Sequence, residues 1–69
     1  MSALTHRDWK LASAVLRLVD SEHALTERQL AERLGTSPSD VHRVAGMLIG
    51  RHKLGRAGNY LVPPKAGAE

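Results

Sequence analysis

The sequence predicts a mainly α fold: three helices closed by a small β-hairpin. Apolar residues recur at helical spacing in three stretches, each opened by a hydroxyl residue suited to capping a helix. A glycine separates the second stretch from the third. After the third, the pattern changes to two short strand-like segments around Gly55, Gly58 and Asn59, ended by Pro63-Pro64.

The first helix opens at Thr5-His6-Arg7-Asp8, where threonine can cap free amides and an acid suits the positive end of the helix dipole. Trp9, Ala12, Val15, Leu16 and Val19 follow at helical spacing, and Leu11 and Leu18 widen the stripe. So broad a face should pack on both later helices, with Trp9 as a core or edge anchor. The helix is expected to end near Asp20 to Glu22. His23-Ala24-Leu25 then links it to the second helix and can add a short strand to a later hairpin.

Thr26-Glu27-Arg28-Gln29 fits the capping box, in which the threonine hydroxyl and the glutamine side chain satisfy each other's backbone donors. The second helix should therefore run from about Glu27 to Leu34, with Leu30, Ala31 and Leu34 on one face. Gly35 follows, at the position where a left-handed residue commonly stops a helix. Ser37 caps the third helix, Pro38 takes its first position and Asp40 its first turn. This helix is expected over residues 38–51. Val41, Val44, Ala45 and Leu48 face inward, with Ile49 at the margin and Met47 at the boundary. Ser39, His42, Arg43, Gly46 and Gly50 face outward. Two short helices joined by a tight glycine-containing turn form the helix-turn-helix unit, whose second helix enters a DNA major groove.

In the hairpin, Leu54 and Leu61 are expected to face the core, with Tyr60 and Val62 outward or at an edge. Gly55, Gly58 and Asn59 supply turn residues, and Arg56 is placed at the tip. Pro63-Pro64 ends strand pairing, because proline has no amide to donate. Residues 1–62 should thus form the domain and residues 63–69 a flexible C-terminal tail.

With the hairpin added, residues 5–62 resemble a winged helix-turn-helix domain. Within that group, residues 44–64, with an apolar helix end, a basic loop, a Gly-Asn tip and the closing Leu-Val-Pro-Pro, are similar to the gamma domain of septal DNA translocases. Those domains read short orienting sequences and guide an ATPase motor along DNA, and plasmid-transfer translocases of filamentous bacteria carry a comparable module. The resemblance implies double-stranded DNA as the partner. Two features depart from that subfamily. The turn Gly35-Thr36-Ser37-Pro38 is longer than usual, and Gly46 stands where a polar base-reading residue often lies. Of the reading positions, only Arg43 matches in type. Small phage or plasmid regulators, and a MarR-like repressor fold trimmed to its DNA-reading core, fit equally well.

Composition bounds the alternatives. Sixty-nine residues make one small domain with one modest core. The chain has no cysteine, which excludes disulfides, thiol catalysis and thiolate zinc sites. No stretch suits a membrane span or a signal peptide, so a cytoplasmic, nucleoid-associated protein without membrane contact is expected. The net charge of +3 is unevenly spread. Residues 1–36 carry five basic and five acidic side chains, whereas residues 37–62 carry four basic ones against Asp40 alone. A neutral support with a basic reading half suits a nucleic-acid binder. The four histidines are scattered, without metal-ligand spacing, and no nucleophile is placed beside a base. Neither an enzyme nor a cofactor is expected.

Arg43 leads the candidates for direct readout, since an arginine on a recognition helix can bond two guanine acceptors at once. His42 beside it can reach a base or a phosphate. Thr36, Ser37 and Ser39 cluster at a helix N-terminus, where hydroxyls and free amides suit phosphate oxygens, although Ser37 is occupied as the cap. Gly46, costly in mid-helix, points to close approach either to DNA or to the first helix. Arg51, Lys53, Arg56 and Asn59 are expected on the backbone, with Arg56 able to enter a minor groove. One such interface is small, so self-association or attachment to an oligomeric parent should supply avidity. The alternative is a protein-interaction module that uses Met47, Tyr60 and Val62 as apolar handles. Single-stranded nucleic acid is disfavoured, because Trp9 and Tyr60 are thin as a stacking platform.

Overall fold

Each of the three helices begins at a hydroxyl side chain that closes its own first turn. The computed structural model describes residues 5–64. In chain order its elements are α1 (His6–Glu22), β1 (Leu25–Thr26), α2 (Glu27–Leu34), α3 (Pro38–Gly50), β2 (Gly55–Ala57) and β3 (Tyr60–Val62). Both threonine caps form reciprocal boxes. The Asp8 amide donates to Thr5 Oγ1 at 3.1 Å while the Thr5 amide donates to Asp8 Oδ2 at 3.3 Å. Thr26 and Gln29 repeat the arrangement at 3.0 and 2.9 Å. At α3, Ser37 Oγ accepts from the Asp40 amide at 3.2 Å.

Helix α2 stops as the sequence suggests, at Gly35 in the left-handed region with φ 67°. The end of α1 is less expected. His23 takes φ 72° and donates its amide to the Val19 carbonyl at 2.7 Å, a conformation uncommon for a residue with a side chain. That reversal sends Leu25 straight into the sheet. Glu22 and Arg33 then pin α1 to α2 through a two-pronged ion pair at 2.5 and 3.1 Å.

The core forms around α3. Val41, Val44, Ala45 and Leu48 on its inner stripe are fully buried, together with Val15 and Val19 of α1, Leu30 of α2 and Leu61 of β3. Ala12, Leu25, Ala31 and Leu54 complete the cluster, and Leu11, Leu16, Leu18, Leu34, Met47 and Ile49 pack around it. Among the described residues no polar or charged side chain is buried.

The sheet is antiparallel with strand order β1-β3-β2. The possible linker strand is therefore real, and it makes β3 a central strand: Leu25 pairs with Leu61, and Thr26 with Tyr60. On the other side Gly55, Arg56 and Ala57 pair with Val62, Leu61 and Tyr60. Gly58, at φ 62°, and Asn59 form the two-residue tip, and glycine is what permits that backbone at the first tip position.

Two expectations about the hairpin need correction. Val62 is buried, at 6 % exposure, because it sits at the base of the hairpin opposite Gly55 and close to buried Leu54. Arg56 is not at the tip but in mid-strand, opposite core-facing Leu61 and therefore on the sheet's inner face. Pro63 and Pro64, assigned to the tail, line a groove with Leu16, Val19 and Leu54. The rest of the tail, residues 65–69, lies outside the described residues. Among the described residues no helix is long and apolar enough to cross a membrane.

Removing most of the Leu61 side chain should cost about 2–5 kcal/mol, since the site is enclosed on all sides. Leu61→Ala is expected to lower the urea midpoint sharply, whereas Tyr60→Ala, its exposed neighbour, should shift it little.

Candidate nucleic-acid interface

The outer side of α3 is a nearly bare ridge. Helical spacing puts Ser39, Gly46 and Gly50 along its crest, with Arg43 on one flank and His42 on the other. All five are exposed. A β-carbon built on Gly46 or Gly50 would meet nothing within 4 Å. Close packing against α1 is therefore not the reason for Gly46, and one of the two explanations open at the sequence level falls away. No other part of the described fold lies over the crest at these glycines.

The flanks are occupied by carboxylates from helix first turns. Arg43 donates from Nη2 to Asp8 Oδ1 of α1 at 2.6 Å and from Nη1 to Asp40 Oδ1 of α3 at 3.2 Å. The arginine is not turned inward: its side chain remains 53 % exposed, while that of Asp8 is only 14 % exposed. On the opposite flank, His42 Nδ1 lies 2.8 Å from Glu27 Oε2 of α2. Arg56 Nη2 donates to the same oxygen at 3.0 Å, tying β2 to α2. Asp8, Glu27 and Asp40 each sit in the first turn of their helix.

These pairs cut across the expected division into a neutral support and a basic reading half. Acids from the first half of the chain fold onto basic residues of the second half. Arg43 and Arg56 are charge-compensated, while Arg7, Lys10, Arg17, Arg28, Arg51 and Lys53 have no ion-pair partner among the described residues. Three of those six lie on α1, within the half that sums to zero along the sequence.

The remaining candidates separate into engaged and open groups. Thr36 donates its hydroxyl to Asp40 Oδ2 at 3.0 Å, so it braces the turn instead of facing outward freely. Ser37 is the cap, as expected. Ser39 is exposed at the start of the ridge. Arg51 ends α3 with its guanidinium 5.2 Å from the centre of the Trp9 ring. Trp9, 42 % exposed, is thus an edge residue under a cation and not a core anchor. Lys53 borders the α1 groove beside Arg17 and Asp20. Asn59 stands exposed at the hairpin tip. Of the apolar handles named for a protein partner, Val62 is buried and Met47 is half-buried against the core, leaving Tyr60 at 48 % exposure.

Asp8 and Glu27 are the site residues that sequence reasoning missed. The first-turn position of Asp8 suggested a role toward the helix dipole, Glu27 entered only as part of the capping-box segment, and nothing local links Asp8 to Arg43 or Glu27 to Arg56. Their carboxyl groups are perturbed by these contacts. The Arg43 hydrogen bond holds Asp8 below its ordinary value of 3.8, and the Thr36 hydroxyl, followed by Ser37 and Arg43, does the same for Asp40. Partial burial pushes Glu27 up, but the bonds from His42 and Arg56 outweigh it and leave the group below 4.5. Among the described residues no cluster of histidine and acidic side chains could hold a metal ion. No family model, curated protein or solved structure matches the chain.

The lowered acids set the sign of an acid sensitivity. A carboxyl that ionises more readily in the folded protein binds fewer protons there than in the unfolded chain. Its stabilising contribution is complete above the ordinary values of 3.8 and 4.5 and disappears as pH falls through the lower folded values. The melting temperature should therefore drop on acidification below about pH 4.5. Asp8→Asn should lower it at neutral pH and show a progressively smaller deficit in acid, as followed by circular dichroism.

Proposed function

We propose that this chain is a winged helix-turn-helix domain that binds double-stranded DNA sequence-specifically, with α3 in the major groove. The observation that carries the reading is the uncovered α3 crest. A helix whose inner stripe is wholly buried presents Ser39, Gly46 and Gly50 outward, bordered by Arg43 and His42. A mid-helix glycine such as Gly46 costs roughly 1 kcal/mol relative to alanine, and no contact within the fold accounts for it or for Gly50 at the last position of the helix. Close approach to a groove wall does account for them.

In this arrangement Arg43, His42 and Ser39 face base edges or the adjoining phosphates. Arg51 and Lys53 at the end of α3, with Asn59 at the wing tip, meet the flanking backbone. Thr36 and Ser37 shape the helix start, and Arg56 holds the wing against α2. The domain would serve as a transcriptional regulator or as the DNA-reading module of a translocase or a plasmid or phage protein. Several copies, through self-association or an oligomeric parent, would raise its avidity.

Titration of labelled duplex at two salt concentrations tests the reading. Arg43→Ala should weaken binding to a selected sequence far more than to random duplex. Lys53→Ala should weaken both alike and flatten the salt dependence. Gly46→Ala is the sharper variant, because its two effects have opposite signs. It should stabilise the fold by up to about 1 kcal/mol through helix propensity yet reduce DNA affinity by placing a methyl group on the crest. Unchanged duplex binding in both Arg43→Ala and Lys53→Ala would refute the proposal. The exposed rings of Trp9 and Tyr60 favour a protein-interaction module as the second reading, which predicts no duplex binding at low salt.

A further inference from the structure

Resting on the DNA-binding reading, we infer that Asp8 and Asp40 are positioning residues that make Arg43 a reader of guanine instead of an anchor for phosphate. An unpaired guanidinium on a recognition helix attracts any nearby phosphate, because that attraction is a charge–charge term insensitive to sequence. Arg43 is differently placed. Two carboxylates from separate helices contact its two terminal nitrogens, at 2.6 Å from Asp8 and 3.2 Å from Asp40. Its positive charge is compensated locally, and a phosphate approaching the group meets two negative neighbours as well as one positive one.

The donors are not exhausted by this clamp. Each terminal nitrogen of a guanidinium carries two N–H groups and the inner nitrogen a further one. The half-exposed side chain therefore keeps donors for an outside acceptor. The guanine edge offers two adjacent neutral acceptors, O6 and N7, which suit a planar fork and carry no net charge for the carboxylates to repel. Compensation thus removes much of the attraction to phosphate while leaving hydrogen bonding to a base intact. It also fixes where the fork stands: Asp40 is set by the Thr36 hydroxyl and the Ser37 cap, and Asp8 by the Thr5 amide. The low exposure of Asp8 places its carboxylate beneath the arginine. The uncompensated cations, Lys53 and Arg7 among them, are left to supply the sequence-independent attraction.

The test is a binding selection on random duplexes, followed by salt titrations, with the wild-type chain, Asp8→Asn, Asp40→Asn and Arg43→Ala, all checked for folding by circular dichroism. Asparagine keeps an acceptor for the Thr5 amide, and the second clamp variant covers the case in which the first unfolds. The wild type should select a guanine that Arg43→Ala no longer selects. Each clamp variant should bind random duplex several-fold more tightly and lose about tenfold of its preference for that guanine. Its salt dependence should steepen by close to one phosphate contact, a change in slope of about 0.9. Asp8→Glu should restore the preference. If the wild type binds a selected duplex and the folded clamp variants keep its guanine preference and salt slope, the inference is wrong while DNA binding stands. If no variant and no wild-type chain binds duplex, the DNA-binding reading itself falls, and this inference with it.

Discussion

Helix α3 is at once the centre of the core and an open helical face. Its inner stripe, Val41, Val44, Ala45 and Leu48, is completely enclosed. In a chain this short, no other element contributes as many fully buried side chains, so α1, α2 and the sheet are all arranged on one side of α3. Burial of that stripe, at roughly 25 cal/mol per Å² of apolar surface, is the largest stabilising contribution a small cysteine-free domain can call on. The opposite side is left without cover as a direct result. The exposed surface follows from the packing: whichever residues stand half a turn from the buried stripe face outward.

Three carboxylates then decide how that surface behaves electrically. Asp8, Glu27 and Asp40 occupy the first turns of α1, α2 and α3, where each also suits the positive end of a helix dipole. Because the starts of α1 and α2 are brought beside the middle of α3, the same acids meet Arg43 and His42, and Glu27 reaches Arg56 in the wing as well. These are largely exposed contacts and add little to stability individually. Their consequence is orientation. They set the direction of long, flexible side chains on both flanks of the ridge and lower its net field.

Much of the fold could be read from local pattern. Thr5, Thr26 and Ser37 as caps, Gly35 as the stop and the helical spacing of apolar residues place all three helices, because capping and amphipathic periodicity act over a few residues. The hairpin was legible from Gly58-Asn59, and the contribution of Leu25 to a sheet was visible as an option. Arg56 and Val62 were misplaced for one reason: their environments depend on strand register and on where the hairpin base meets the body. Gly46 shows the complementary case, in which sequence raised a question that only packing could answer.

The sequence by itself determined the secondary elements, their order and the two-sided character of α3, since these arise from interactions between residues a few positions apart. Tertiary structure alone decided which charges meet. Asp8 and Arg43 are 35 positions apart, and Glu27 and Arg56 are 29 apart. Ion pairing depends on distance in space, and charge counted along the chain places the positive excess where the folded molecule has cancelled part of it, at Arg43 and Arg56 but not at Arg51 or Lys53.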